Sequence, residues 1–113
     1  RAQKVQAKAA KCGFDWQDVN GAYDKVTEEF KELQAAPPEK QEEELGDLLF
    51  AVVNVSRFLK VDLERACERT CNKFIARFSK MESLAQERGM RLEEMTLEQM
   101  DKLWDEVKAL EAK

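Results

Sequence analysis

The chain has 113 residues, 19 basic against 23 acidic, and a net charge of −4, which suits one modest domain and leaves no overall basic footprint for a nucleic-acid backbone. With no histidine and only three cysteines, a histidine general base, a Ser-His-Asp hydrolase, an activated catalytic thiol and a zinc site are all disfavoured. No apolar run approaches membrane-spanning length and no signal peptide is visible, and the free thiols expected from an odd cysteine count point to a reducing, cytoplasmic setting. The chain opens on Arg1 rather than methionine, so residues 1–113 are expected to be one domain cut from a longer protein.

In chain order, apolar positions at Ala2, Val5, Ala9 and Cys12 predict a first helix over residues 1–12, stopped at Gly13. Phe14, Asp15 and Trp16 follow as a loop. A second helix is predicted from Asp18, as its N-cap, to about Ala35, with Val26, Phe30 and Leu33 facing inward. Pro37 and Pro38 end it. The third helix is expected over about residues 39–58, with Leu45, Leu48, Leu49, Ala51, Val52 and Val55 as its apolar arc. Its interior Gly46 permits close approach of a neighbouring helix or a ligand, or is simply tolerated.

Asp62 is expected to cap a long fourth helix over about residues 62–87, closed by Gly89. Cys67, Cys71, Phe74 and Phe78 repeat once per turn and read as core, and all three cysteines read as small buried hydrophobes. Thr70, Lys73 and Arg77 occupy the neighbouring face. Thr96 with Gln99 forms a capping-box pattern that opens a last helix to about Ala109, striped by Leu97, Met100, Leu103, Trp104 and Val107. The end beyond Lys108 is expected to fray. The fold class is therefore all-α, a bundle of about five helices.

The chemistry is expected where the second and third helices meet. Glu29 and Glu32 are three residues apart, as are Glu44 and Asp47, so each pair shares a helical face. Acids on solvated faces are common. Glu44, however, projects between Ala51 and Val55 on the apolar side, where a carboxylate is expensive unless it is paired or metal-bound. Four converging carboxylates call for a hard divalent cation, and magnesium fits best. Lys73 and Arg77, one turn apart, can clamp one phosphate or pair ordinarily at the surface, and spacing alone does not choose. Judged alone, Trp104 is core or interface and Lys108 is solvated. Trp16 and Phe14 share the same ambiguity.

These residues carry a resemblance. Glu28-Glu29-x-x-Glu32, Glu44-Leu-Gly-Asp47-Leu-Leu-Phe, Asn54-Val-Ser-Arg57 and Asn72-Lys73-Phe74-x-x-Arg77-Phe78 together resemble the MazG-type nucleoside triphosphate pyrophosphohydrolases of the all-α pyrophosphatase superfamily. The opening Lys11-Cys12-Gly13-Phe14-Asp15-Trp16 narrows the resemblance to the carboxyl-terminal catalytic half of such proteins, and the match runs over almost the whole chain. It implies Mg²⁺, with Mn²⁺ as a substitute, on Glu29, Glu32, Glu44 and Asp47. Glu28 would orient the attacking water or bind a second ion. It further implies triphosphate contacts from Lys73 and Arg77, an active role for Trp104 with Lys108, and a substrate-binding role for Asn54 and Trp16. The implied reaction releases a nucleoside monophosphate and pyrophosphate, in a homodimer with no nucleic-acid or membrane partner. Two alternatives stand beside it: a helical interaction or regulatory module without catalysis, and a pyrophosphohydrolase acting on another nucleotide such as phosphoribosyl-ATP.

Overall fold

The computed structural model describes residues 1–112, and among them there are five α-helices and no strand. They are α1 (Ala2–Lys11), α2 (Val19–Ala35), α3 (Gln41–Leu59), α4 (Leu63–Glu87) and α5 (Leu97–Glu111), with short 3₁₀ turns at Pro38–Lys40 and Leu92–Glu94. The all-α expectation holds. The chain divides into two compact units, Arg1–Glu64 and the chain from Arg65 on.

In the first unit, Asp18 caps α2 as its sequence position suggests, its Oδ1 accepting from the Asn20 N–H at 2.9 Å. Pro37 and Pro38 do more than end α2. Pro38 has no N–H to donate and its ring pre-sets φ, so it opens a 3₁₀ turn. The expected helix over 39–58 therefore starts two residues later, at Gln41. Three acids, Glu42, Glu43 and Glu44, fill the first turn of α3, where the helix dipole favours negative charge. Lys60, at φ 58°, turns the chain out of the helix.

The fully buried positions of this unit are small or polar, while Val26, Leu33, Leu48, Val52 and Val55 of the expected inward faces are half-buried. Ala22 of α2 and Ala51 of α3 are buried, and α2 packs along α3 as a helical hairpin. Gln3 donates to the Ser56 hydroxyl at 3.1 Å and Gln6 to the Phe50 carbonyl at 2.8 Å, which ties α1 to α3. The expected inward faces are corrected accordingly. Phe30, Leu45 and Leu49 are exposed, Leu49 by 58%, and Val5 of α1 is exposed as well. Their periodicity is helical, but the residues buried on α2 and α3 include Ala22 and Ala51 instead of these large ones. Gly46, likewise, has open space rather than a neighbouring helix beside it.

The second unit closes around Met81 and Ala85 of α4 and Leu103 and Val107 of α5, with Leu84, Leu92, Met95 and Trp104 against them. The Thr96 capping box forms in full: the Thr96 hydroxyl accepts from the Gln99 N–H at 3.1 Å and the Gln99 side chain accepts from the Thr96 N–H at 2.9 Å. Gly89 sits at φ 69°, the left-handed conformation that a helix end requires. The N-terminal half of α4 departs from expectation. Cys67, Cys71, Phe74 and Phe78 are exposed rather than core, because the core of this unit lies one turn further on, at Met81 and Ala85. Cys12 is exposed too, so none of the three thiols is a buried hydrophobe. Phe74 is 55% exposed yet stacks on Phe78 and tilts against Trp104, with ring centroids 6.2 and 5.2 Å apart.

Two outcomes test this architecture by chemical unfolding monitored by circular dichroism. Leu103→Ala, at a position 3% exposed, should cost roughly 2–5 kcal/mol of stability, and Thr96→Ala, which removes the cap, about 1 kcal/mol. Equal losses for the two would contradict the placement of the core. A third outcome concerns pH. Arg77 donates to Glu111 at 2.8 Å and holds that carboxyl below its ordinary range. A lowered carboxyl contributes stability above its unfolded value, about 4.3, and loses it as the pH falls toward the folded one. The melting temperature should therefore drop on acidification through this window, and by less in Glu111→Gln; parallel curves would rule the contribution out.

Candidate functional site

The acids do converge. Carboxylate oxygens of Glu28, Glu29 and Glu32 lie within 4.8 Å of one another, and so do those of Glu29, Glu44 and Asp47. Glu29 belongs to both groups and joins the α2 acids to the α3 acids. It is also the one that is buried, at 6% exposure, while Glu44 is half-buried and Glu28, Glu32 and Asp47 are exposed. The spacing on each helix produces this: three residues of α-helix return to nearly the same face, and the alanine seam brings the two faces together.

The electrostatics follow from that crowding. Glu32 is held above the usual carboxylate range, first by a hydrogen bond with Glu29 and then by its charge. Lys25, one turn before Glu29, donates to Glu29 Oε1 at 2.9 Å and reaches Glu28 at 3.5 Å, and its ammonium is raised in consequence. The other oxygen of Glu29, Oε2, is buried with no hydrogen-bond partner, and so is Oε2 of Glu44. A buried carboxylate oxygen without a donor costs on the order of 1–3 kcal/mol or more. Orphaned oxygens from two facing helices, in a set of hard oxygen ligands, fit a divalent cation.

Beside the acids lies a cavity of about 780 Å³ between α1, the loop after it, α2 and α3. Glu29 and Asp47 line one part of it, Asn54, Trp16 and Phe14 another. Gly21 makes room for Trp16, since a Cβ there would stand 3.0 Å from the indole ring. A charged network braces the wall. Arg57 donates from Nε and Nη2 to Asn54 Oδ1 at 3.1 and 2.9 Å and pairs with Asp15, while its guanidinium lies 4.8 Å over the Phe58 ring. The hydrogen bond from Arg57 holds the Asp15 carboxyl below its ordinary range.

Of the residues singled out in the sequence, Glu28, Glu29, Glu32, Glu44, Asp47, Asn54 and Trp16 thus gather in the first unit. Lys73, Arg77, Trp104 and Lys108 belong to the second unit. There Arg77 is paired with Glu111, Trp104 rests on Phe74 beside the core, and Lys73 and Lys108 are exposed. Lys25, Asp15, Arg57 and Gln6 were given no role from sequence. The spacing from Lys25 to Glu29 is a legible ion-pair signal. Gln6 carries none, being one glutamine on a helix rich in polar residues.

Comparison with known proteins agrees with this geometry. The family described as the MazG nucleotide pyrophosphohydrolase domain matches residues 17–82, which contain all five acids. The chain is 48% identical over 108 residues to the nucleoside triphosphate pyrophosphohydrolase/pyrophosphatase MazG of Thermotoga maritima, covering 95% of this chain and 42% of that protein. It is 41% identical over 117 residues to the nucleoside triphosphate pyrophosphohydrolase of Escherichia coli K12, covering 98% and 44%. An uncharacterized protein of Bacillus subtilis, YabN, is 53% identical over 68 residues, 60% of this chain and 14% of that protein. The chain therefore spans less than half the length of the first two relatives. With the family's match running through α2, α3 and most of α4, and the acid cluster assembled within it, the chain belongs to the MazG nucleotide pyrophosphohydrolase domain family.

Proposed function

We propose that this protein hydrolyses nucleoside triphosphates between the α and β phosphates, releasing a nucleoside monophosphate and pyrophosphate, with Mg²⁺ as its metal and Mn²⁺ as a substitute. The observation that carries the proposal is the pair of orphaned carboxylate oxygens, on Glu29 and Glu44, beside a cavity large enough for a nucleoside. The names of the two long relatives support the same reaction.

Glu29, Glu32, Glu44 and Asp47 would hold the ion. Bound there, Mg²⁺ supplies the positive charge that offsets phosphate oxygens and makes a water molecule more acidic. Glu28 is exposed at the edge of the cluster, where its carboxylate can orient the attacking water and accept its proton. Lys25 neutralises one oxygen of Glu29, which limits the repulsion among the acids before substrate arrives. Asn54 and Trp16, on the far part of the cavity wall, hold the nucleoside.

Lys73 and Arg77 contact the triphosphate in this reading and offset charge growing on the leaving pyrophosphate. For Arg77 that means exchanging the Glu111 carboxylate for a phosphate. Trp104 and Lys108 serve the same substrate from α5. The protein acts as a homodimer, and a second copy would cover exposed apolar residues of each unit, Phe30, Leu45 and Leu49 in the first and Cys71, Phe74 and Phe78 in the second. Among the described residues no helix is long and apolar enough to cross a membrane. Three free thiols suit a cytoplasmic setting.

The test is pyrophosphate release from a panel of nucleoside triphosphates by the full-length protein, with Mg²⁺ and with EDTA. Release should require the metal. Glu44→Gln and Asp47→Asn should each lower turnover by roughly 10²-fold or more. In EDTA the same variants should melt no lower than the wild type, because each removes a like charge from the cluster. Undiminished turnover in Glu44→Gln would overturn the assignment. No release under either condition would favour a helical interaction module, and release only from phosphoribosyl-ATP would favour the related pyrophosphohydrolase.

A further inference from the structure

Besides Glu29, the cavity wall carries a second polar group that the fold leaves unserved. Gln6 is 7% exposed and lines the cavity. Its Nε2 donates to the Phe50 carbonyl at 2.8 Å, while its Oε1 is buried and accepts no hydrogen bond. The bond to Phe50 settles the orientation of the amide, because a carbonyl can only accept. The group without a partner is therefore an acceptor, and what it lacks is a donor.

Position along α3 decides which donor. The helix rises about 1.5 Å per residue. Phe50, which anchors Gln6, is three residues past Asp47, on the order of 4.5 Å along the axis. Asn54 is seven residues past Asp47, on the order of 10 Å. Asp47, Phe50 and Asn54 all line the cavity. A nucleotide laid along α3 with its phosphates at Asp47 and Glu29 has its sugar level with Phe50 and Gln6. Its base then lies level with Asn54 and Trp16. At the base end an indole accepts any base, since every base has a π face. At the sugar end the donors a nucleotide carries are its ring hydroxyls.

We infer that Gln6 reads the sugar: its Oε1 accepts a hydrogen bond from a pentose hydroxyl of the bound nucleotide, which makes Gln6 a specificity-determining residue. The inference rests on the nucleotide reading above and goes beyond it by naming what separates a good substrate from a poor one. The hydrogen bond that Gln6 Nε2 donates to Phe50 pre-sets the acceptor, so the site gives up little rotamer freedom when the ligand binds.

The experiment measures pyrophosphate release by the full-length protein with Mg²⁺ from CTP, dCTP, 3′-deoxy-CTP and 2′,3′-dideoxy-CTP. Wild type is compared with Gln6→Met, which keeps the length of the side chain without a strong acceptor. Removing the hydroxyl that is read should raise KM about tenfold or more with kcat little changed, the pattern of lost uniform binding. Loss on dCTP identifies the 2′-hydroxyl and loss on 3′-deoxy-CTP the 3′-hydroxyl. In Gln6→Met the KM of the nucleotides carrying that hydroxyl should rise to that of the dideoxy nucleotide, which itself should not move. Equal KM for all four in the wild type overturns the inference, as does a Gln6→Met loss shared equally by all four.

Binding of CMP and dideoxy-CMP in EDTA, by calorimetry, separates this inference from the proposed reaction. A preference for CMP that vanishes in Gln6→Met, without pyrophosphate release from any nucleotide, keeps the inference and removes the reaction. Release without discrimination between hydroxyl-bearing and dideoxy nucleotides does the reverse. Should Gln6→Met fail to fold, the four nucleotides in the wild type decide.

Discussion

A buried carboxylate, Glu29, is the constraint around which the first unit is arranged. It lies where α2 crosses the acids of α3, and it is the member common to both carboxylate groups. A buried carboxylate crowded by other acids is costly unless it is paired. Lys25 answers half of the problem by donating to Oε1. The other half, Oε2, is left open together with Oε2 of Glu44. A fold optimised for stability alone would have replaced these acids with apolar groups. Keeping them, with Lys25 paired to Glu28 and Glu29 in a cluster of five acids, leaves the unit ready to take up positive charge from outside.

The small residues of the hairpin serve the same end. Ala22 and Ala51 let α2 and α3 approach closely enough for short acidic side chains on both to come within 4.8 Å. Bulkier residues on the seam would separate the helices and dissolve the cluster. A short way along α3 the wall changes character, from acids to Asn54 and Arg57 with Trp16 against Gly21. Arg57 fixes this end: bound to Asn54 and Asp15 at once, it holds the loop carrying Asp15 and Trp16 onto α3. A charged end and an aromatic end on one cavity are what a phosphorylated aromatic ligand requires.

How much of this could be read in advance depends on the kind of signal. The helices, the Asp18 cap and the Thr96 capping box were legible because each is a local pattern with a local cause. So was the convergence of Glu29, Glu44 and Asp47, because the three-residue spacing fixes a face and Pro37-Pro38 forces the two faces toward each other. The seam was legible only in part. Hydrophobic periodicity ranked Ala51 as inward, and it is buried, but it ranked Phe30, Leu45 and Leu49 with it, which are exposed, and passed over Ala22, whose small size gives a weak signal. Gln6 and Arg57 were illegible for another reason. Their roles depend on which carbonyl or carboxylate lies across from them, and no spacing within one helix encodes that.

The exposed apolar residues of α4 carry the same lesson further. Cys67, Cys71, Phe74 and Phe78 recur once per turn, and that regularity says only that one face of the helix is apolar. It does not say what covers the face. Within its unit α4 uses its C-terminal half, Met81 and Ala85, to pack against α5, and leaves its N-terminal half to Phe74 stacking on Phe78 and Trp104. Lys73 and Arg77 rise from the same stretch as Phe74 and Phe78. A helix that is apolar on one side and cationic on the next, with its own core elsewhere, has its chemistry and its uncovered surface side by side. Whatever covers the apolar side also sets how much water reaches the cations, and so how strongly they would act on an anion beside them.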